Sequence, residues 1–174
     1  MSTDDIPLLF PTPFRYRKAE LRQFHADLKR KVLRGRGFTC LITSDAELKR
    51  LNKRFLGKNY ATDVLSFPAP SAIGECGDVA ISVDRAKAQA AEHRHSVIKE
   101  LLILMLHGAL HLAGYDHETD NGEMRKTEAV WRKRLELPSG LIERAENSAA
   151  KLDATKASAK ASAKARAKKR GRAK

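Results

Sequence analysis

The chain has 174 residues, 42% hydrophobic and 32% charged, with a formal charge of +13. That length suits one domain with a real core, and the cationic excess implies a polyanionic partner, nucleic acid or an acidic membrane surface. Three classes are excluded as expectations: the acidic start Met1–Asp5 is unlike a signal peptide, the uncharged apolar stretch Leu101–Tyr115 is short of the ~18–20 residues of a membrane span, and two cysteines, Cys40 and Cys76, make no disulfide framework.

Ile6–Phe10 reads as a short strand, which Pro7 and Pro11 restrict to a sheet edge. From Tyr16 to Leu33, Leu21, Phe24, Leu28 and Val32 recur at helical spacing, and Gly35 and Gly37 end the helix. Phe38–Thr43 is apolar and partly β-branched, a buried strand. Ser44-Asp45-Ala46-Glu47 is a capping box, opening a helix whose buried residues are Leu48, Leu51 and Phe55. Thr62–Phe67 is a second strand stopped by Pro68, a loop runs to Gly77, and Asp78–Val83 is a third strand. An Ala-rich helix covers about Arg85–Glu92. Ser96 caps a longer helix from Val97 to about Ala113, apolar on every side over Leu101–Leu106 and therefore central and buried. Asp120 with Glu123 suggests one more cap, with Met124, Trp131 and Leu135 as that helix's core stripe. Strands and helices mix without strict alternation, so the expected fold is α+β, about five helices on a small mixed sheet.

The charge is uneven. Residues 148–174 hold ten Lys or Arg and one acid, a tail of +9, whereas the rest of the chain carries only +4. The tail has almost no large apolar side chains, so burial cannot offset its ordering entropy. The division expected is a folded domain over residues 1–147 and a disordered Lys/Ala-rich tail over 148–174. The tail supplies sequence-independent attraction to phosphate.

Three of six histidines fall in His107-Gly108-Ala109-Leu110-His111-Leu112-Ala113-Gly114-Tyr115-Asp116-His117. His107 and His111 are one helical turn apart on one face. Gly114 can take the left-handed conformation that ends a helix, after which His117 can approach from another direction. Three imidazoles with an open fourth position are the donor set of a catalytic zinc site, although Ni, Cu or Fe also accept them. The spacing also fits the zinc proteases of the metzincin type, which carry a Glu general base directly after the first His. Here that position is Gly108, so metal-activated hydrolysis is retained and peptide hydrolysis by that route is not. His25, His93 and His95 lie on charged segments and read as surface residues. Asp116, beside the third ligand, either orients an imidazole or serves the turn. Asp63 and Asp78, at strand starts, either line the site or serve turns. No general base is identified.

The histidine motif resembles the YbeY family of bacterial endoribonucleases, together with Asn59-Tyr60-Ala61-Thr62-Asp63-Val64-Leu65-Ser66-Phe67-Pro68 and Gly77-Asp78-Val79-Ala80-Ile81-Ser82. The resemblance runs from about Phe38 to Trp131. It implies a single-strand-specific, metal-dependent RNase, with one zinc ion on His107, His111 and His117; the two cysteines, read as free thiols, fit a reducing cytoplasm. It implies 16S rRNA 3′-end maturation and ribosome quality control, with single-stranded RNA, 16S rRNA and the small ribosomal subunit as partners and no membrane. The family usually carries Arg directly before the Gly-Lys of the loop Asn52–Lys58, a residue thought to contribute to catalysis; here that position is Leu56. Arg54 is the candidate substitute for clamping phosphate, with Lys58 nearby. Arg54 shares a face with Leu56 on an extended segment but not on a helix. Two other readings stay open, an RNA-binding ribosome-assembly factor of weak or vestigial activity and a metallohydrolase of another substrate.

Overall fold

The structure, a computed structural model, describes residues 8–10, 14–69, 74–138 and 144. The elements named below lie in the first of two units, Met1–Gly140; the second is Leu141–Lys174. The tail expected over 148–174, and the domain boundary before it, lie outside the described residues.

Among the described residues nine elements follow in chain order: β1 (Leu8–Leu9), α1 (Lys18–Lys31), β2 (Gly37–Thr43), α2 (Asp45–Leu56), β3 (Val64–Pro68), β4 (Glu75–Ser82), α3 (Val83–Glu92), α4 (Val97–Leu112) and α5 (Glu123–Arg134). The sheet order is β1-β2-β4-β3. β1 runs parallel to β2 and β2 to β4, whereas β3 is antiparallel to β4. This is the expected α+β fold of five helices on a small mixed sheet. The proline-flanked first strand does take an edge. β3 takes the other edge, where its terminal Pro68 is tolerated.

The sheet buries both faces. On one, Leu65 and Ala80 pack against Leu48 of α2, with Leu41, Leu51 and Phe67 around them. On the other lies α4, buried at every position from Leu101 to Leu110, with α1, α3 and α5 packed about it. An all-apolar helix has no polar side to give to solvent, so it becomes the centre around which the others arrange.

Gly108 sets how closely α4 lies on the sheet. A Cβ there would stand 2.7 and 3.1 Å from the two γ-carbons of Val79 on β4, and 3.3 Å from Ser66 Oγ on β3. The Ser66 hydroxyl donates to the Gly108 carbonyl at 3.2 Å. A glycine in mid-helix costs about 1 kcal/mol against alanine; here it permits the contact on which the next layer rests.

Four local expectations are corrected. Ser44 does accept from Glu47 N–H, at 3.4 Å, but the Glu47 carboxylate pairs with Arg50 instead of closing the box, and that guanidinium holds its carboxyl below the usual range. Phe55 is 56% exposed; it reaches the ring of Phe67 on the edge strand, centroids 5.1 Å apart, and half of it stays open. His25 is buried, because it shares the face of Leu21 and Leu28 on α1. Its Nε2 meets Phe38 O at 2.8 Å, and burial pushes its pKa down. His95 is mostly covered, with Nε2 3.0 Å from Oε2 of the buried Glu100; His93 alone of the three is exposed.

Gly108→Ala is expected to destabilise the fold by about 1–3 kcal/mol, the range for overpacking a filled core, despite the gain in helix propensity. Val79→Ala in the same chain should recover part of that loss, since the two sites share one contact. Urea unfolding of the two single variants and the double variant measures this; a Gly108→Ala protein as stable as the parent contradicts it.

Candidate metal centre

α4 delivers two of the three imidazoles. Ser96 caps its start by accepting from Lys99 N–H at 3.2 Å. At its end Gly114 takes φ +95, Gly114 N–H donates to His111 O at 3.0 Å, and Tyr115 N–H donates to Leu110 O at 3.1 Å. That pair of bonds is a Schellman stop. It reverses the chain within three residues and carries His117 back over the helix end.

The three rings form a triangle, with centroids 4.9, 5.3 and 5.4 Å apart. One donor nitrogen from each lies within 4.8 Å of the others, so the three can hold a metal ion. His107 and His111 turn Nε2 toward Nε2, 3.2 Å apart. Two imidazoles bound tetrahedrally to zinc at ~2.0–2.1 Å place their nitrogens ~3.3 Å apart, so the spacing fits that ion. Burial grades across the set: His107 is buried, His111 half-buried and His117 exposed. The third direction is therefore open to solvent. Burial lowers the pKa of His111, as do His107 and His117 beside it, while Asp116 and a backbone hydrogen bond at Tyr115 act the other way. A neutral imidazole is the form that ligates metal.

His107 has a partner behind it. Its Nδ1 lies 3.2 Å from Oε1 of Glu128 on α5, and both side chains are almost wholly buried. An ionised carboxylate only accepts. Nδ1 therefore carries the proton, and Nε2 presents its lone pair to the centre, as in carboxylate–histidine–metal triads.

Asp116 takes part in the turn before and after His117. Its carboxylate accepts from Glu118 N–H at 3.1 Å and from the Thr119 hydroxyl at 2.9 Å. These bonds, with His111 and His117 nearby, hold its carboxyl below the usual range. They straddle His117, so Asp116 fixes the turn that presents the third imidazole; the carboxylate on an imidazole is Glu128. Asp63 is structural: it accepts from Val64 N–H at 2.9 Å and from Gln89 Nε2 at 2.9 Å.

Arg54 and Lys58 are exposed at and beyond the end of α2. The Arg54 guanidinium stands over the ring of Phe55, 5.2 Å from its centroid. Because α2 runs through Leu56, Arg54 and Leu56 point to different sides. The extended geometry in which Arg54 would share the direction of Leu56 is absent.

Two contributors escaped the sequence reading. Glu128 lies four residues after Met124, hence on the core face of α5; a carboxylate on an apolar stripe was the available signal. Ser66 carried no signal of its own, since its contact joins residues 42 apart.

An α+β domain with three imidazoles converging from one helix and the turn after it defines a candidate mononuclear metal-binding protein. The family model "Endoribonuclease YbeY" matches residues 16–136. The chain is 50% identical to "Endoribonuclease YbeY" of Solibacter usitatus (strain Ellin6076) over 135 residues, 78% of this chain and 90% of that protein. It is 57% identical to the Koribacter versatilis (strain Ellin345) protein of the same name over 111 residues, 64% of this chain and 72% of that protein. With the Nautilia profundicola relative, also of that name, identity is 50% over 117 residues, 67% and 84% of the two chains. The chain belongs to the YbeY endoribonuclease family.

Glu128→Ala is expected to weaken metal affinity about 10- to 100-fold, the usual effect of losing such an orienting partner. Glu128→Gln, whose side-chain carbonyl can still accept, should lose less. Competition for the metal against a chromophoric chelator reads both, and unchanged affinity in a folded Glu128→Ala protein would contradict the role given to Glu128.

Proposed function

We propose that the protein is a zinc-dependent endoribonuclease that hydrolyses single-stranded RNA. The observation that carries this is the convergence of His107, His111 and His117, with Glu128 behind the first, in a chain of the YbeY family. Bound zinc would supply Lewis acidity and lower the pKa of a coordinated water toward ~7. The chain's own residues do the rest. Glu128 keeps the His107 proton on Nδ1. Burial keeps His111 neutral. Asp116 holds the turn that carries His117. Ser66 and Gly108 hold α4 against the sheet, so the first two ligands do not drift.

Arg54 and Lys58 offset charge on phosphates of the bound RNA. A folded domain over 1–147 carries the chemistry, and the cationic tail over 148–174 adds attraction that is independent of sequence. The resemblance and the chain's +13 charge support the small ribosomal subunit as partner and 16S rRNA as substrate, with action in its 3′-end maturation and in ribosome quality control in the cytoplasm. No helix among the described residues is long and apolar enough to cross a membrane. One observation favours a second reading, an RNA-binding assembly factor of weak activity: an exposed leucine, Leu56, stands where the family usually has arginine, and Arg54 points elsewhere.

Purified full-length protein, zinc-loaded, is expected to cut a single-stranded fragment of the 16S rRNA 3′ end. Chelator should abolish cutting, re-added zinc should restore it, and His107→Ala should reduce it by at least about 100-fold, as when a central catalytic contribution is removed. RNA that is bound yet left intact by the well-folded, metallated protein supports the second reading and sinks the first.

A further inference from the structure

Three of the five large hydrophobic side chains that stand exposed among the described residues are neighbours in sequence: Phe55 at 56%, Leu56 at 51% and Tyr60 at 55%. They cap α2 and the loop after it, and every residue from Lys53 to Tyr60 is exposed. Lys49, Lys53, Arg54 and Lys58 accompany them, with no Asp or Glu between Leu48 and Thr62.

The segment is held in one shape. Asn52 is buried on α2. Its carbonyl accepts from the N–H of Gly57 and, at 3.3 Å, from that of Lys58. Its side chain reaches over the turn and donates from Nδ2 to Tyr60 O at 2.8 Å. Exposing three large apolar side chains costs solvation, and here a buried amide fixes the backbone that exposes two of them. Aromatic rings among cations, with Arg54 over the ring of Phe55 and no acid in the segment itself, match what unpaired nucleic acid needs: π-faces for bases and positive charge for phosphates.

A chain of contacts joins the ledge to the helix that carries His107 and His111. Phe55 contacts Phe67 on β3, and Ser66, the next residue along that strand, holds the carbonyl of Gly108, which follows His107. β3 is an edge strand. The ledge and α4 thus pack on opposite faces of the sheet at its edge strand, an edge that a flexible single strand can follow and a stiff duplex cannot.

We infer that Phe55 and Tyr60 form a stacking ledge for unpaired bases of the RNA substrate, and that this ledge selects single-stranded over duplex RNA. The inference rests on the proposed ribonuclease reading and adds to it a base-binding subsite.

The test uses the full chain with a labelled single-stranded oligoribonucleotide and with the same strand annealed to its complement. Phe55→Ala and Tyr60→Ala are each expected to weaken single-strand affinity about 5- to 150-fold, the range for losing one stacked base. Duplex affinity should hold, and the salt dependence of single-strand binding should keep its slope, because neither residue meets phosphate. Phe55→Leu keeps apolar bulk and loses the ring, so it should lose affinity as well. Tyr60→Ala removes a side chain more than half exposed, and thermal melting confirms that it folds. Unchanged single-strand affinity in folded Tyr60→Ala and Phe55→Ala proteins overturns the inference, whatever else occupies the ledge. So does an equal loss for duplex and single strand. If the parent binds single strands through the ledge but cuts none, the inference stands and the ribonuclease reading fails.

Discussion

The site depends on one contact, the approach of α4 to the sheet at Gly108. Val79 and Ser66 occupy the space where a β-carbon would be. Because packed interiors have few voids and deform little, this contact fixes both the distance and the rotation of α4. His107 precedes Gly108 by one residue and His111 follows it by three, so the directions of both imidazoles are set there. The apolar remainder of α4 then anchors α1, α3 and α5, and α5 brings Glu128 to the back of His107.

The electrostatics follow from the same placement. The half-buried imidazole of His111 loses solvation that would stabilise its charged form, which favours the neutral ligand. Two carboxylates are buried on these helices, and each meets an imidazole, Glu128 at His107 and Glu100 at His95, as buried polar groups require. The more exposed end of the site is built differently. There Asp116 ties backbone and hydroxyl groups into a turn, and His117 stands on it with solvent beside it. A buried side and an open side suit a centre that must keep its ligands ordered and still admit a polyanion.

Much of this was legible in the sequence. The apolar run Leu101–Leu106 announced the central helix, and Gly114 announced its end, because each reflects local chemistry: hydrophobic periodicity and a backbone that must turn left-handed. The i, i+4 spacing of His107 and His111 announced the shared face. The errors lie where tertiary partners decide. Phe55 has helical core spacing, yet what lies across from it is an edge strand that covers only half of it. His25 sits among charged residues, yet shares its face with Leu21 and Leu28. Asp116 was beside a ligand in sequence, whereas Glu128, eleven residues beyond the last histidine, was beside one in space. A carboxylate on the core stripe of α5 was readable, but only the fold says which histidine it meets.

The central claim is that three histidine nitrogens, and no sulfur, hold one metal ion. X-ray absorption spectroscopy at the zinc edge, on full-length protein purified without an affinity tag and loaded with one zinc ion per chain, tests it most directly. The account predicts three imidazole shells at ~2.0–2.1 Å, an oxygen-type fourth neighbour and no scatterer at the ~2.3 Å of a thiolate, with one imidazole shell lost in His117→Ala. A sulfur shell, or a spectrum unchanged by that substitution, would contradict it.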